Sequence, residues 1–265
     1  MLAVQRRREI LNRLDDSGSV RVTELADKFT VTEETIRRDL HRLDQEGRLV
    51  RIHGGAVSIH NDRRELPLEV RETINLEEKK AIAALAVKQI QEGDVIALDA
   101  SSSARELAKS LPDFPLTVVT NCMAIAGTLT HQKYIRVLST GGLLDGPSSS
   151  FVGPLAELAL QRFSVAKLFI SCKGVDLDRG LSVALSDHAA IKRKMIDLSD
   201  KVFLLVDSSK FGAKSVEFFC DLGEIDCVFT DAGVPAPAIR AMEKAGVALE
   251  IAALQATRKS PDGKR

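Results

Sequence analysis

The chain has 265 residues, a formal net charge of +0, an apolar fraction of 45% and an aromatic fraction of only 4%. This length allows one small and one larger domain, and the aliphatic composition favours an α/β core. The balanced charge excludes a strongly basic protein that binds polyanions nonspecifically. The four cysteines form no CxxC pair, no apolar run reaches the length of a membrane span, and no secretory signal pattern is present. We therefore expect a cytoplasmic protein with reduced thiols.

The beginning of the chain predicts three short helices. Apolar residues at helical spacing indicate a first helix over residues 8–15, and a short β-like bridge follows at 20–22. A second helix begins after Thr23, which is a suitable N-cap. Thr32 can cap the third helix, and Gly47 is well placed just beyond its C-terminus. This spacing is typical of a helix-turn-helix in which the second helix braces the third.

The third helix has one apolar and one charged side, and a basic hairpin follows it. Ile36, Leu40 and Leu43 share the apolar side. Residues 49–52 predict a wing strand, and the Gly54-Gly55 pair a tight turn or a close approach of backbone. The charged side and the wing supply the candidate DNA-contacting residues. These are Thr32, Glu34, Thr35, Arg37, Arg38, His41, Arg42, Arg51 and His53.

The charge of this segment does not by itself favour DNA over a solvated surface. Acidic residues nearly balance the basic ones, so the interpretation rests on clustering of arginine. Arginines cluster at the start of the chain (Arg6, Arg7 and Arg8), on the third helix and in the wing. An amphipathic helix with scattered arginines is more often only a solvated surface. The helix-turn-helix spacing and the basic hairpin are what raise the DNA interpretation above that alternative.

Residues 58–75 are polar and charged and predict a linker, after which helices alternate with apolar strands. The helix over 77–90 precedes the first of these strands, and the alternation predicts a mostly parallel α/β sheet. The predicted strands are 95–98, 116–119, 135–138, 168–170, 202–206, 227–230 and, as an edge strand, 247–251.

Small, hydroxylated, glycine or lysine residues follow several of these strands. Ligands of open α/β sheets bind beyond the carboxyl ends of the strands. The serines at 101–103 precede a helix, whose free N–H groups favour an anion, and two nearby lysines can add positive charge. Such a lining suits a phosphate with a polyhydroxylated body, although each turn taken singly is ordinary loop sequence. The candidate effector-binding residues are Asp99, Ser101, Ser102, Ser103, Thr120, Asn121, Gly141, Gly142, Lys173, Asp207 and Lys210.

Two runs of the helix and wing, TIRRDL from Thr35 and RIHGGA from Arg51, resemble the signature of the DeoR family of bacterial transcription regulators. Asp44 stands where that family usually has glutamate. By this resemblance, the third helix enters the major groove of operator DNA and the wing touches the backbone or the minor groove. The resemblance also implies a repressor of a carbohydrate-utilisation operon. Because one head buries too little surface for operator affinity, we expect a homodimer or homotetramer formed through the C-terminal domain.

The strand ends resemble the sensor domain of the same family, which has a ribose-5-phosphate isomerase-like fold. Four motifs of that domain have counterparts here. Asp-x-Gly-Ser-Thr corresponds to residues 99–103, Thr-Asn-Ser to 120–122, Gly-Gly to 141–142 and Asp-x-Ser-Lys to 207–210. Ser101 replaces the glycine and Cys122 the last serine of these motifs. The implied effector is a phosphorylated sugar, with no cofactor and no metal.

The fold class expected is therefore a two-domain α+β/α/β protein. Its parts are a winged helix-turn-helix domain over 1–57, a linker over 58–75, an effector-binding and oligomerisation domain over 76–252, and a disordered tail over 253–265.

Two alternatives remain open from the sequence. One is a sugar-phosphate isomerase with an appended DNA-binding head, in which Asp176 or Asp178 would transfer a proton, although aspartates in such a loop are more often turn formers. The other is an architectural or interaction protein without a ligand. His188 lies on a predicted helix whose Lys192, Arg193 and Lys194 are expected to be solvated, and no partner residue suggests a metal site.

Overall fold

The computed structural model describes residues 2–46, 48–52, 54–58 and 65–253. Gly47, His53 and the predicted tail beyond residue 253 lie outside the described residues. The first unit is a three-helix bundle with a small antiparallel sheet in the order β1-β3-β2. Its elements are α1 (Ala3–Ser17), β1 (Ser19–Arg21), α2 (Val22–Phe29), α3 (Glu33–Gln45), β2 (Val50–Ile52) and β3 (Gly55–Val57).

The helix α3 begins and packs as its sequence predicts. The Thr32 side chain accepts a hydrogen bond from the Thr35 amide at 3.3 Å, which makes it the N-cap. Ile36, Leu40 and Leu43 are at most 1% exposed and join one apolar core with α1 and α2. The predicted cap of α2 is wrong, because that helix begins at Val22 and encloses Thr23.

The wing depends on a close approach of two backbones. A Cβ added to Gly55 would lie 2.0 Å from the carbonyl oxygen of Val20, so no side chain fits there without moving a strand. Gly54 has φ +80°, a left-handed conformation that glycine adopts without strain. The Gly54-Gly55 pair therefore provides both the turn and the close contact that the sequence suggested.

The segment predicted as a linker contains ordered structure. A short helix, α4 (Leu68–Thr73), lies within it, and Leu68 and Val70 are buried. Glu69 of this helix forms an exposed ion pair with Arg21 of the first unit at 2.6 Å. Leu68 joins an apolar core of the larger domain, and the polar composition of the segment gave no sign of this buried contact.

The larger domain is built on a seven-stranded sheet in the order β15-β14-β12-β9-β4-β5-β6 with every pair parallel. A short 3-10 turn at Val87–Gln89 follows its first helix. Its helices and strands, in chain order, are α5 (Leu76–Ala86), β4 (Val95–Leu98), α6 (Ser102–Lys109), β5 (Leu116–Thr120), α7 (Met123–Leu129), β6 (Ile135–Ser139), β7 (Leu143–Asp145), β8 (Ser150–Val152), α8 (Pro154–Leu160), β9 (Val165–Ile170), β10 (Gly174–Asp176), β11 (Gly180–Val183), α9 (Ser186–Asp197), β12 (Ser199–Leu205), β13 (Glu217–Cys220), β14 (Cys227–Asp231), α10 (Ala236–Ala245) and β15 (Ala248–Ala252).

The seven predicted strands all lie in this sheet, and the predicted fold class is confirmed. Each face of the sheet carries its own apolar core. The chain first builds the sheet outward from β4 through β5 to β6, and then returns to place β9 on the other side of β4. The boundary between β4 and β9 is therefore a topological switch point, where a crevice opens at the carboxyl ends of the strands.

Candidate functional site

The exposed side of α3 presents three arginines, each held by a glutamate one turn away. Arg37 pairs with Glu33 at 2.5 Å and Arg38 with Glu34 at 3.3 Å, while Arg42 pairs with Glu46 at 3.2 Å. Every one of these side chains is more than 40% exposed, so the pairs contribute little to stability. The arginines can therefore exchange carboxylate partners for phosphates or base edges at small cost.

The wing is attached to the same helix. The Arg51 amide donates to the Asp44 carboxylate at 3.2 Å, and its guanidinium lies 3.2 Å from Nδ1 of His41. Thr32 and Glu34 are exposed beside the arginines, and Thr35 is half-buried. The structure thus brings the described candidate DNA residues to one surface, and His53 lies outside the described residues.

The arginines at the start of the chain do not belong to that surface. Arg6 is buried and donates to the Asp39 carboxylate at 2.5 Å, and Arg7 reaches the other Asp39 oxygen at 3.4 Å. This buried pair ties α1 to α3. Our interpretation of Arg6 and Arg7 as part of a basic cluster was wrong, because their charges face the core of the bundle, whereas Arg8 is exposed.

A pocket opens at the switch point of the large sheet. Side chains at the carboxyl ends of β4, β5 and β9 form its floor, and α9 and the segment over 65–79 form its walls. The predicted residues that line it are Asp99, Ser101, Ser102, Ser103, Asn121, Lys173 and Lys210. The further lining residues that sequence reasoning did not assign include Glu65, Arg71, Lys79, Ser150, His188 and Lys192.

Four predicted residues are not part of the pocket lining. Thr120 donates to the Leu98 carbonyl at 2.7 Å and is fully buried between strands. Gly141 and Gly142 have positive φ, and a Cβ on Gly142 would lie 3.0 Å from the Cβ of Ala156, so this glycine permits close packing on α8. Asp207 lies beneath the neighbouring turn, where it accepts hydrogen bonds from Asn75 and Ser209.

Asp99 organises the floor of the pocket. Its carboxylate accepts hydrogen bonds from the Ser101 hydroxyl at 2.5 Å and from the Ser171 amide at 3.0 Å, which joins the ends of β4 and β9. Lys192 donates to the same carboxylate and, at 3.0 Å, to the Ser171 carbonyl. The prediction that Lys192 is solvated was wrong, since only 12% of its side chain is exposed.

A serine side chain fits at position 101, where the Asp-x-Gly-Ser-Thr motif that this segment resembles has glycine. Its backbone lies in the extended region at φ −96°, and its hydroxyl accepts a hydrogen bond from the Ala104 amide at 3.1 Å. The residue therefore caps α6. Ser102 and Ser103, in the first turn of that helix, lie at the pocket wall, where the positive end of the helix dipole favours an anion.

The wall over 65–79 adds two cations. Arg71 forms an ion pair with Glu65 at 3.1 Å, and its guanidinium lies 3.4 Å from the Ala100 carbonyl. Lys79 donates to the carbonyl oxygens of Arg71 and Ile74, both at 2.6 Å, and burial lowers the pKa of this ammonium group to about 8. Sequence reasoning missed both residues because their segment was interpreted as a linker and a helix surface.

The thiols near the pocket are inert. Cys172 lines it, and burial raises the pKa of this thiol to about 12, while burial also raises the pKa of Cys122. Within the described ranges no cluster of His, Cys, Asp and Glu could hold a metal ion. Nor does any described helix have the length and apolar character needed to cross a bilayer.

Two family models match the two parts of the chain. The family model for the DeoR-like helix-turn-helix domain matches residues 6–62, and that for the DeoR C terminal sensor domain matches residues 74–232. A solved ribose 5-phosphate isomerase A from Methanocaldococcus jannaschii is similar in fold, with a TM-score of 0.39 and 17% identity, over 52% of this chain and 55% of that one.

Three curated relatives are similar over most of their length. The HTH-type transcriptional regulator YulB of Bacillus subtilis is 45% identical over 92% of this chain and 94% of its own. The L-fucose operon activator of Haemophilus influenzae is 38% identical over 85% and 91%, and the lactose phosphotransferase system repressor of Staphylococcus epidermidis is 34% identical over 84% and 90%. The chain therefore belongs to the DeoR family of DNA-binding transcriptional regulators.

Proposed function

We propose that this regulator represses a carbohydrate-catabolism operon and that a phosphorylated sugar controls its affinity for the operator. Two of the relatives are named for regulating the use of a sugar, one as an activator and one as a repressor. On this proposal the protein acts in the cytoplasm on double-stranded DNA. The proposal has a DNA-reading part, an effector part and a coupling between them.

The DNA-reading part assigns α3 to the major groove and the wing to the phosphate backbone. Arg37 and Arg38 are the proposed base or phosphate contacts, with Thr35 beside them and Arg51 in the wing. Their exposure and their weak pairing with glutamate support this assignment. A single winged helix-turn-helix covers few base pairs, so tight operator binding requires two heads.

A second head would come from a homodimer or homotetramer formed through the larger domain. Apolar side chains on β7 and α8 offer a surface for this contact, since Leu143 is 68% exposed and Leu155 is 71% exposed. Aliphatic side chains that face water in this way are more stable when a second copy covers them.

The observation that carries the effector part is the charge of the pocket wall. Five lysine or arginine side chains line the pocket against two carboxylates, and the N-terminus of α6 opens into it. The cations are Arg71, Lys79, Lys173, Lys192 and Lys210. Hydroxyl and amide groups of Ser101, Ser150 and Asn121 complete the lining, which suits a phosphate joined to a polyhydroxylated body.

The segment over 65–79, which forms one wall of the pocket, is the proposed coupling between effector binding and the DNA-binding head. Arg71 of this segment lines the pocket, and Glu69 beside it contacts Arg21 of the winged domain. A ligand that changes the position of Arg71 therefore acts on the segment that connects the pocket to the DNA-binding head. The effector must bind the two arrangements of this segment with different affinity in order to switch the regulator.

The isomerase alternative has no support in the geometry of its candidate acids. Asp176 accepts hydrogen bonds from the amides of Asp178 and Arg179 at 3.0 and 2.8 Å and pairs with Lys214. It is therefore a turn former held by its own loop, and neither Asp176 nor Asp178 lines the pocket. Turnover of pentose or hexose phosphates by the purified protein would revive the alternative.

The test is thermal stabilisation of the purified protein by a panel of sugar phosphates, their unphosphorylated parents and inorganic phosphate. A ligand at about 100 times its dissociation constant adds roughly 2.7 kcal/mol to the unfolding free energy. We expect one phosphorylated sugar to stabilise the protein far more than its parent does. Stabilisation by the parent alone would contradict the anion site, and no stabilisation by any compound would overturn the claim that a sugar phosphate controls this regulator.

A further inference from the structure

Asn75 lies at the junction of α4 and α5 in a backbone conformation that few side chains adopt. Its φ is +50°, and two residues that line the pocket, Ile74 and Lys79, lie on either side of it in the chain. Residues other than glycine seldom occupy this left-handed region, and they persist there when their surroundings hold them. The side chain of Asn75 makes the contacts that hold it.

The Asn75 side chain does not cap the helix that follows it. An asparagine at the N-cap commonly accepts a hydrogen bond from an amide of the first helical turn, yet Asn75, the N-cap of α5, makes no such bond. Instead its Nδ2 donates to Oδ1 of Asp207 at 2.8 Å and to Oγ of Ser209 at 3.2 Å. These acceptors are 132 and 134 residues away in the chain, so the amide serves a tertiary contact.

The turn that Asn75 contacts also forms part of the pocket. Asp207 is 1% exposed, and its carbonyl accepts from the amide of Lys210, whose side chain lines the pocket. Although burial opposes ionisation, the charge of Lys210 and the hydrogen bond from Ser209 lower the pKa of Asp207 below its ordinary value. Asn75 therefore donates to a carboxylate, and hydrogen bonds to ionised groups are stronger than those between neutral groups.

The helix α4 connects Asn75 with the winged domain. It ends at Thr73, two residues before Asn75, and its Glu69 forms the exposed ion pair with Arg21. A hydrogen-bonded helix of six residues is about 9 Å long and moves as a unit. A displacement at the Asn75 end of this helix therefore changes the position of Glu69.

We propose that Asn75 is a positioning residue that makes α4 follow the turn over Ser208–Lys210 when the effector enters the pocket. This role rests on the proposed function, in which an effector in this pocket controls operator affinity. An effector that contacts Lys210 and Ile74 touches the two parts that the Asn75 side chain joins. With the bond in place they move together and the displacement reaches the winged domain. Without it, the effector binds but no longer acts on operator affinity.

The experiment measures operator binding by fluorescence anisotropy with and without the sugar phosphate that most stabilises the wild-type protein. The ratio of the two dissociation constants is the coupling ratio, and coupled sites usually change affinity by about 5- to 150-fold. Asn75→Gly removes the amide and keeps a residue that adopts a φ of +50° without strain. We expect its coupling ratio to fall below about 2, while its affinity for the sugar phosphate in titration calorimetry changes less than about threefold.

Ser149→Gly is the matched control. Ser149 has φ +52° in the turn between β7 and β8 and is outside the pocket lining. Both substitutions replace a left-handed residue by glycine, so they have similar effects on backbone strain and on the entropy of the unfolded chain. We expect Ser149→Gly to keep the wild-type coupling ratio.

An exchange of donor and acceptor separates the hydrogen bond from other effects of substitution. Asn75→Asp places a second carboxylate beside Asp207 and should abolish the coupling by repulsion. Combining it with Asp207→Asn again pairs one amide with one carboxylate at the same net charge, so the coupling should return in part. A residue that only stabilises the fold would lower the melting temperature when changed and leave the coupling ratio as it is.

The outcomes distinguish the two proposals. A wild-type coupling ratio in Asn75→Gly would overturn the role of Asn75 and leave the proposed function standing. Loss of sugar phosphate binding in that variant would place Asn75 in the binding site and overturn its role in coupling. A double variant no better coupled than Asn75→Asp would overturn the bond to Asp207 as the link. A wild-type protein whose operator affinity ignores every sugar phosphate would overturn the proposed function and this role with it.

Discussion

The ammonium group of Lys192 donates to the carboxylate of Asp99 under the floor of the pocket, and 12% and 1% of the two side chains are exposed. Asp99 directly follows β4, and Lys192, 93 residues further along the chain, belongs to α9. Ser171 at the end of β9 donates to the same carboxylate. This buried pair therefore joins the two halves of the sheet at the point where a ligand would bind.

Lys192→Met should destabilise the protein by about 3–5 kcal/mol, because it leaves the Asp99 carboxylate buried without its cation. The double change Lys192→Met with Asp99→Asn removes both charges and should recover part of that loss. Urea unfolding curves of the wild type, the two single variants Lys192→Met and Asp99→Asn, and the double variant measure the coupling free energy. Lys194→Met, two residues along the same helix and outside the pocket lining, is the control. Equal stability of Lys192→Met and the wild type would show that the pair contributes nothing.

Arg38→Ala should abolish sequence-specific DNA binding without unfolding the chain. Arg38 is 81% exposed and only weakly paired with Glu34, so the unfolding free energy should change by no more than about 0.5 kcal/mol. Loss of a base contact costs about 1–3 kcal/mol for each head. Fluorescence anisotropy with an operator selected by the wild-type protein, and with a scrambled duplex, measures the loss of specificity.

The exposed Arg240 on α10 offers a control for this prediction, since Arg240→Ala removes the same charge far from α3. We expect that variant to keep full operator specificity. Retained specificity in Arg38→Ala itself would remove α3 as the reading helix.

The sequence predicted the elements that depend on local pattern. The parallel strands are continuous apolar runs with turn residues at each end, so β4 and β12 could be located to within a few residues. Thr32 was predicted as a cap because its hydroxyl needs only an amide three residues away. The three short antiparallel strands β10, β11 and β13 were missed, since each has three or four residues and no alternating pattern.

The pocket was only partly predictable, for a physical reason. Motifs at strand ends identify residues that one edge of the sheet brings together, which is how Asp99 and Asn121 were found. Arg71 and Lys192 reach the pocket from a segment and a helix whose sequences are charged, and charge alone does not show which side chain turns inward. Their burial is decided by tertiary contacts, of Lys192 with the Asp99 carboxylate and of Arg71 with the Ala100 carbonyl, and no local pattern reports such contacts.

Lys210→Ala should weaken the response to the effector and leave operator affinity without effector nearly intact. Lys210 lines the pocket as the last residue of the 3-10 turn over Ser208–Lys210, and it lies in the larger domain, away from the winged domain. Operator binding measured with and without the stabilising sugar phosphate gives the coupling free energy. Lys201→Ala, at the opposite end of β12 and exposed, is the matched control. An unchanged response in Lys210→Ala would count against a role of Lys210 in binding the effector.

Lys79 should make stability rise with pH in a defined window. Burial lowers the pKa of Lys79 from 10.5 to about 8, so between these values the unfolded chain binds more protons than the folded one. Stability increases with pH wherever the unfolded state binds more protons, and below about pH 8 both states are protonated and the burial cost is present in full. This lowering of the Lys79 pKa corresponds to a cost of roughly 3 kcal/mol in the free energy of unfolding while the group is charged.

In urea unfolding, the stability difference between the wild type and Lys79→Met should therefore be flat below pH 7 and should move by about 1 kcal/mol in favour of the wild type from pH 8 to pH 9. The buried thiols of Cys172 and Cys220, whose pKa is raised to about 12, act in the opposite direction above pH 9. They act equally in both proteins and cancel in the difference.

The variant also leaves the carbonyls of Arg71 and Ile74 without their donor at every pH, so only the slope of the stability difference against pH reports the titration of Lys79. A difference that stays constant from pH 7 to pH 9 would show that Lys79 keeps its ordinary pKa in the folded protein.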